Sequence, residues 1–171
     1  MEKEEICLTK NFNFRRINGK EADEAARIEG ICFPPNEACT KGAIVKRIGV
    51  AAELFLVAED CKSGKLAGFL NGVATNEMDF RDAFFTNPEL HDCQGENIML
   101  LGLDVLPEYR GQGLARELVR QYAKREAEKG RKRLILTCHK EKVEMYIKFG
   151  FRDRGEIRDP DQSYGVWPLL Y

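Results

Sequence analysis

The fold of this chain is decided by the stretch Arg110-Gly111-Gln112-Gly113-Leu114-Ala115, which lies between two different hydrophobic patterns. Before it, the apolar run from Ile98 to Leu106 predicts a buried strand. After it, residues 111–129 follow the period of a helix. Its apolar side chains recur three and four positions apart: Leu118, Val119, Tyr122 and Ala123. A strand, a glycine-rich turn and a helix in this order predict an anion-binding cradle at the helix start.

The residues of this cradle suit a diphosphate. The first turn of a helix has backbone N–H groups without intrahelical partners and carries a positive partial charge. Gly111 and Gly113 lack the Cβ atoms that would keep a ligand away from these groups. Arg110 adds a cation, and the small side chain of Ala115 lets a ligand lie against the first turn.

Two common phosphate-binding motifs do not fit this stretch. A nucleoside triphosphate loop needs Gly-Lys-Ser/Thr, where this chain has Gly113-Leu114-Ala115, so the lysine for phosphate and the hydroxyl for magnesium are missing. A dinucleotide-binding fold needs three glycines at another spacing near the start of a βαβ unit, with an acidic ribose ligand further on. Both interpretations are therefore rejected.

The cradle resembles the motif of the GNAT acetyltransferase superfamily, Arg/Gln-x-x-Gly-x-Gly/Ala, at Arg110, Gly113 and Ala115. Two flanking segments strengthen this resemblance. The segment 103–109 is similar to that family's entry from strand to loop, and the segment 146–151 is similar to its tyrosine-bearing helix and Gly-Phe strand start. The resemblance implies a single-domain α/β fold. Its central sheet is mixed, mostly antiparallel and of about seven strands, with helices on both faces and a splayed strand pair that holds acetyl-CoA.

The resemblance also implies how the coenzyme binds. The cradle holds the pyrophosphate of acetyl-CoA, and the pantetheine arm pairs with the exposed edge of the strand before it. The residues expected at the coenzyme are Leu103, Asp104, Val105, Arg110, Gly111, Gln112, Gly113, Leu114, Ala115 and Arg116. Gly102 interrupts that strand, and a glycine there marks either a bulge or relief of packing. The resemblance favours the bulge.

Two groups are expected to act on the acetyl group. Tyr146 falls where the superfamily has a tyrosine beside the coenzyme sulfur, and a phenol of pKa about 10 can protonate a thiolate whose thiol has a pKa near 8.5. The backbone N–H of Leu103 is expected to polarise the carbonyl as an oxyanion donor. The alternative for Tyr146 is packing against Phe149 and Phe151. Cys138 is a conceivable acyl-carrying nucleophile, but a packing role is favoured.

Within the superfamily, the chain most resembles the microbial and fungal arylalkylamine N-acetyltransferase group. The segment 32–39 is similar to that group's Phe-Pro-x-Asn/Asp-Glu loop, which lies over the acceptor. Phe33, Pro34 and Glu37 are therefore predicted to bind the acceptor, with Phe33 and Pro34 as apolar walls and Glu37 attracting a cationic amine. The alternative is that the prolines stiffen a turn and that Glu37 caps the helix starting near Thr40.

The general base is not identified by the resemblance. Members of that group carry histidines on the strand before the cradle, where this chain has Met99 and Leu101. Three proton routes stay open. The first is a chain of water molecules, the second is Glu37 or Glu96 with a raised pKa, and the third is His139. Surface roles are favoured for His139 and for the other histidine, His91.

The predicted function is an acetyl-CoA-dependent N-acetyltransferase that acts on a small primary amine, an arylalkylamine or a polyamine, by direct attack in a ternary complex. A protein N-terminus or a lysine is the alternative acceptor. Protein-acetylating members usually have an Asn and an Ala ahead of the tyrosine, where this chain has Glu141-Lys142-Val143-Glu144. A non-catalytic acyl-CoA sensor is the third hypothesis, motivated by the missing histidines.

The composition sets further limits. The 171 residues suit one domain, predicted at 12–171 after a frayed tail at 1–11. A net charge of −1 argues against nucleic acid as a partner, and the lack of a long apolar run argues against a membrane. The six cysteines lack zinc-ligand spacing, so no metal is expected. The N-terminus is not a signal peptide, which favours the cytoplasm. A homodimer is compatible with this composition.

The remaining elements follow from periodicity and turn residues. The predicted strands are 12–17, 54–59, 65–75, a strand starting at 134, 151–157 and 164–170, with a hairpin turn at 61–64. The predicted helices are 20–31, one following Thr40, a short one around 80–85, and 141–149. The first of these is expected to end near Gly30, ahead of Pro34 and Pro35.

Overall fold

A computed structural model of the chain describes the backbone of residues 8–156 and 162–168 and the side chains of residues 8–154. Its strands are β1 Phe12–Arg16, β2 Phe55–Asp60, β3 Leu66–Thr75, β4 Asn97–Val105, β5 Arg133–His139, β6 Arg152–Glu156 and β7 Gln162–Pro168. Its α-helices are α1 Ala22–Cys32, α2 Lys41–Ala51, α3 Ala83–Thr86, α4 Leu114–Glu128 and α5 Val143–Phe149. No helix among the described residues is long and apolar enough to cross a membrane.

The strands form one sheet in the order β1-β2-β3-β4-β5-β7-β6. β1 with β2, β2 with β3, β5 with β7 and β6 with β7 are antiparallel, whereas β4 and β5 are parallel. This mixed, mostly antiparallel sheet of seven strands confirms the predicted α/β fold class. The parallel register joins Asn97 to Arg133, Ile98 to Leu134 and Met99 to Ile135, and it ends there. A short register of this kind is expected of a splayed strand pair.

The chain divides into two compact units. The first comprises the chain up to Asn71 together with Gly102–Tyr122, and the second comprises Gly72–Leu101 together with the chain from Ala123 onward. β3 and β4 each continue from one unit into the other.

The first unit is built on α1, α2 and the adjoining strands. The side chain of Asn18 accepts from Lys20 N–H and that of Glu21 accepts from Asn18 N–H, which starts the turn that leads into α1. Thr40 caps α2 by accepting from Ala43 N–H at 3.1 Å. The buried core contains Ile17, Ala25, Ile28, Ile44, Ile48, Phe55, Val57, Leu66, Phe69 and Leu106.

Residues 8–11, which the sequence places in a frayed tail, form a helical turn instead. Leu8 in this turn is buried, and its Cδ1 lies near Gly113, 3.8 Å from where a Cβ would stand there. Burial of this leucine explains why the turn is ordered. The rest of the predicted tail, residues 1–7, lies outside the described residues.

The second unit contains β5, β6, β7, α3 and α5. α3 confirms a short helix in this region, although it begins after Phe80. Phe80 and Phe84 are buried, with ring centroids 5.9 Å apart. α5 ends at Gly150, whose φ of 112° is the left-handed conformation of a C-terminal cap. The predicted final strands correspond to β6 and β7. Ile157, Leu170 and the residues next to them lie outside the described residues.

Two helix boundaries differ in detail from the prediction. α1 runs past Gly30 to Cys32 and ends ahead of Pro34, as predicted, and Phe33 before Pro34 is extended, with φ −125° and ψ 146°. The proline therefore ends this helix, because it disfavours the helical conformation of the residue before it. α4 begins at Leu114 rather than at 111, because Gly111 and Gly113 have φ values of +82° and +85°.

Candidate functional site

The predicted cradle has an open geometry at the start of α4. Gly111 and Gly113 are exposed and left-handed, and a Cβ at Gly111 would meet no atom within 4 Å. The first bond of α4 runs from Glu117 N–H to Gly113 O at 3.0 Å. The N–H groups of residues 114–116 therefore precede the first intrahelical bond, as expected at a helix start. The turn can present backbone donors to an anion, which fits a diphosphate.

The side chains beside the cradle bond back to its backbone. Arg110 Nε donates to Val105 O at 2.8 Å, and its Nη2 lies 3.7 Å from Cys32 Sγ. Gln112 Nε2 donates to Tyr109 O at 2.9 Å. Both side chains are exposed. The guanidinium is thus held at the end of β4, next to the turn, by a bond that uses its Nε.

The backbone of β4 presents alternate residues to its two edges. Leu106 N–H donates to Ala67 O at 2.9 Å, and Gly102 O accepts from the side chain of Asn71 at 3.4 Å. The backbone N–H and C=O groups of Gly102 and Leu106 therefore point toward β3. Because successive residues of a strand point their N–H and C=O groups to opposite edges, Leu103 faces the edge away from β3. This is the edge that the sequence predicts for the pantetheine arm.

Gly68 lets β3 and β4 come close together, on the side of β4 opposite the Leu103 edge. A Cβ at Gly68 would overlap the carbonyl oxygen of Asp104 and would lie 3.1 Å from Val105 Cα. Both neighbours are backbone atoms, which cannot rotate away. Glycine is therefore required at position 68 for this spacing of the two strands.

A buried polar cluster lies on the helix side of β4, and the sequence analysis did not identify it. Its charged and polar members are almost fully buried: Glu29 is 3% exposed, Arg47 4%, Asn71 2% and Asp104 0%. Arg47 Nη1 donates to Asn71 Oδ1 at 3.4 Å, and Asn71 Nδ2 donates to Gly102 O at 3.4 Å. A Cβ at Gly102 would lie 3.2 Å from Asp104 Oδ1 and 3.8 Å from Glu29 Oε1. The cluster therefore converges on Gly102.

The charges of the cluster compensate one another in part. Burial raises the pKa of Glu29, while the charge of Arg47 and a hydrogen bond with Asp104 act in the opposite direction. Burial also raises the pKa of Cys32 and of Cys39 at the rim of the cluster.

Helical periodicity was the signal that could have revealed this cluster. Glu29 follows Ala22 and Ala25 at the spacing of one helix face, and Arg47 follows Ile44 in the same way. A charged residue at an inward-facing position is rare unless it is paired. One acidic and one basic residue at inward positions of consecutive helices therefore indicate a buried polar cluster.

Tyr146, the predicted general acid, lies on α5 in the second unit. It is half-buried, and its ring packs edge-on against Phe149 and Phe151, with centroid distances of 5.9 and 5.6 Å. Its carbonyl accepts the N–H of Phe151 at 3.0 Å. The packing contacts expected of this tyrosine are therefore present, and they hold the ring in a defined orientation that leaves part of it exposed.

The predicted acceptor loop follows α1. Phe33 is half-buried, while Pro34 and Glu37 are exposed, and Glu37 N–H donates to Pro34 O at 2.9 Å. The suggestion that Glu37 caps α2 is wrong, because Thr40 occupies the capping position and its hydroxyl makes the capping bond. The Glu37 carboxyl is therefore at the surface of a turn.

The other candidate bases have different surroundings. Glu96 is half exposed and forms a salt bridge of 3.0 Å with Lys132. His91 Nδ1 accepts from Ala74 N–H at 3.0 Å, which is a structural role. His139 is the last residue of β5. Met99 and Leu101, where the resemblance to the arylalkylamine group predicts histidines, are buried.

Cysteine chemistry and metal binding receive no support from the described residues. Burial and the nearby Asp153 raise the pKa of Cys138 to about 11, so its thiol is poorly suited to act as a nucleophile at neutral pH. No group of three or more His, Cys, Asp and Glu side chains in the described part of the chain could hold a metal ion.

Comparison with known proteins gives a family and a fold. The model of the acetyltransferase (GNAT) family matches residues 23–151. No curated protein sequence matches the chain. The loading GNATL domain of CurA from Lyngbya majuscula is 16% identical, with a TM-score of 0.78 over 92% of this chain and 98% of that chain.

Two structures from Escherichia coli have the same fold. YhbS, a GNAT family N-acetyltransferase in complex with CoA, is 21% identical, with a TM-score of 0.65 over 94% of this chain and 82% of that chain. The ribosomal-protein-S18-alanine N-acetyltransferase is 16% identical, with a TM-score of 0.67 over 94% of this chain and 95% of that chain.

Proposed function

This chain belongs to the GNAT acetyltransferase family, and we propose that it transfers the acetyl group of acetyl-CoA to the primary amine of a small molecule. The observation that carries the proposal is the open turn at Gly111 and Gly113, which leads from β4 into α4. Donors at the start of α4 suit the diphosphate of the coenzyme, and the edge of β4 at Leu103 suits its pantetheine arm. YhbS, which has this fold, is known in complex with CoA.

The reaction proceeds by direct attack in a ternary complex. Bound acetyl-CoA supplies a thioester whose carbonyl carbon accepts the amine nitrogen. A C–N bond forms, the C–S bond breaks, the amine loses a proton and the thiolate gains one. Leu103 N–H polarises the thioester carbonyl. Tyr146 donates the proton to the departing thiolate. This transfer is uphill by only about 1.5 pKa units, because a phenol is a slightly weaker acid than a thiol, and the phenolate then regains a proton from solvent.

The acceptor is an arylalkylamine or a polyamine. The exposed Glu37 carboxylate offers a negative charge to an ammonium group, and Phe33 and Pro34 offer apolar surface on the same loop. The amine loses its proton through a chain of water molecules, because Met99 and Leu101 cannot accept one and Glu96 is engaged by Lys132. An activity that rises with pH toward the pKa of the amine is the expected consequence.

The test follows thiol release from acetyl-CoA with arylalkylamines, polyamines, and peptides carrying a free N-terminus or a lysine, from pH 6 to pH 10. The wild type is compared with Tyr146→Phe and with Tyr122→Phe as the matched control, because the Tyr122 hydroxyl bonds to Leu54 O at 2.9 Å. We expect Tyr146→Phe to lower kcat by roughly 10²–10⁴-fold with little change in KM for acetyl-CoA. Tyr122→Phe should lower stability but keep kcat.

Each other outcome changes the proposal in a defined way. Turnover of peptides alone would make the acceptor a protein. Stabilisation by acetyl-CoA without turnover of any amine would indicate an acyl-CoA sensor. An unchanged kcat in Tyr146→Phe would remove that residue from the mechanism.

A further inference from the structure

The buried polar cluster supplies a hydrogen-bond donor to one end of the Gly102–Leu103 peptide. Its carbonyl, on Gly102, accepts from Asn71 Nδ2 at 3.4 Å. Its N–H, on Leu103, points to the opposite side, because the C=O and N–H of a trans peptide are antiparallel. A donor at the carbonyl end therefore acts on the same peptide group whose N–H is proposed to meet the acyl carbonyl.

The orientation of the Asn71 amide is set by Arg47. A guanidinium can only donate, so the atom of Asn71 that lies 3.4 Å from Arg47 Nη1 must be the acceptor Oδ1. Nδ2 is then left for Gly102 O. The Asn71 amide thus links the Arg47 guanidinium to the Gly102–Leu103 peptide through two hydrogen bonds.

Burying an asparagine at position 71 contributes less to folding stability than burying an apolar residue would. Its presence there therefore points to a function beyond filling space. All ten residues of β3 are buried, and its other large side chains are apolar. Burying a polar amide is unfavourable unless its hydrogen bonds are made, and a leucine would fill a similar volume without that requirement. The partner that Asn71 contacts through Nδ2 is a backbone carbonyl of β4, the strand that leads into the cradle.

We propose that Asn71 is a positioning residue for acyl transfer: by donating to Gly102 O, it fixes the direction of the Leu103 N–H and strengthens it as a donor to the acyl carbonyl. A hydrogen bond to the carbonyl oxygen of a peptide polarises the peptide, which makes its N–H a better donor. Arg47 contributes by orienting the Asn71 amide. This inference rests on the proposed function, because it assumes that Leu103 N–H meets a bound thioester.

The test measures the bound thioester itself. Acetyl-CoA labelled with carbon-13 at the acetyl carbonyl is bound to the full-length protein without an acceptor amine, and its carbonyl stretch is recorded by infrared difference spectroscopy. A donor at the carbonyl oxygen weakens the C=O bond, so the wild type should show the band at a lower frequency than free acetyl-CoA does. Asn71→Leu should move the band back toward the free value, with the Kd for acetyl-CoA within about threefold of wild type.

The matched control is Asn97→Leu. Asn97 is also a buried strand asparagine, 1% exposed, with Nδ2 3.0 Å from Glu77 O and Oδ1 3.2 Å from Arg133 Nη1. It makes two comparable bonds but none to the Gly102–Leu103 peptide. Asn97→Leu should lower stability and leave the carbonyl band unchanged. Asn71→Ser, whose side chain is too short to bridge Arg47 and Gly102, replaces Asn71→Leu if the leucine variant does not fold.

Activity provides a second readout. Removing an oxyanion donor costs 10²–10³ in kcat, so weakening one should lower kcat by about tenfold while KM for acetyl-CoA stays the same. A carbonyl band at the wild-type position in a folded, acetyl-CoA-binding Asn71 variant overturns the inference. A wild type that binds acetyl-CoA without any band shift overturns it as well, because Leu103 N–H is then no donor. Failure of the wild type to bind acetyl-CoA overturns the proposed function itself.

Discussion

Replacing Gly68 with alanine tests the close approach of β3 and β4, on the side of β4 opposite the predicted coenzyme edge. The added Cβ would overlap the carbonyl oxygen of Asp104 and would lie 3.2 Å from the Asp104 carbonyl carbon and 3.1 Å from Val105 Cα. All three contacts are with backbone atoms, so no side-chain rotation relieves them. The two strands must separate, and the segment of β4 that contains Leu103 must move with them.

The expected cost follows from the type of contact. Overpacking in a core costs about 1–3 kcal/mol, and a clash with backbone on a central strand belongs at the upper end, about 3 kcal/mol. For a chain of this length, 1 kcal/mol corresponds to about 2–4 °C in Tm, so Gly68→Ala should lower Tm by about 6–12 °C. Acetyl transfer at a temperature where the variant is folded should fall as well, because the Leu103 edge is displaced.

The assay is equilibrium unfolding in urea together with a thermal melt. Gly49→Ala is the matched control, since Gly49 lies exposed in α2 and a Cβ there would meet no atom within 4 Å. Alanine is a better helix former than glycine by up to about 1 kcal/mol, so this variant should be more stable than wild type. A Gly68→Ala variant within about 0.5 kcal/mol of wild type would refute the close approach of the strands.

Two further predictions concern the cradle and the cysteines. Gly111→Ala and Gly64→Ala each force alanine into the left-handed region, at φ +82° and +72°, so each should cost about 1–2 kcal/mol of stability. Only Gly111→Ala should also raise KM for acetyl-CoA, and an equal rise in Gly64→Ala would contradict the assignment of the cradle. Because its pKa is raised to about 11, Cys138 should be alkylated by iodoacetamide at pH 8 about 100-fold more slowly than the exposed Cys61 and Cys93, and its rate should still climb above pH 9. Mass spectrometry of the labelled peptides measures this, and comparable rates for the three thiols would contradict the raised pKa.

Local patterns in the sequence were sufficient to predict the element order and the glycine turn that precedes α4. The hairpin between β2 and β3 follows from a glycine turn between two apolar runs, and Gly64 has the expected positive φ of 72°. The boundary errors have local causes as well. A glycine ends a helix only where the chain turns left-handed, which happens at Gly150 but not at Gly30, whereas Pro34 restricts the residue before it in any context.

The buried cluster could not be predicted in the same way, because it depends on register. Asn71 is one polar residue within an apolar strand, and its relation to Gly102 exists only after β3 and β4 have paired. The edge of β4 that faces away from β3 is set by the same register, so the direction of the Leu103 N–H is a tertiary property. Sequence periodicity places Glu29 and Arg47 on inward faces but does not state which strand residue lies between them.

The cluster places polar groups beside β4 although the side chains of Met99 and Leu101 on that strand are apolar. Gly102 on the same strand has no side chain, and its carbonyl accepts from Asn71. The polar groups thus act through the backbone rather than through side chains of β4. If acyl transfer depends on this arrangement, substitutions of Asn71 should lower kcat. Adding Leu101→His to an Asn71 variant should change the pH dependence of the activity but should not restore kcat. A histidine that did restore kcat would show that the strand needs a base and not a polarised peptide.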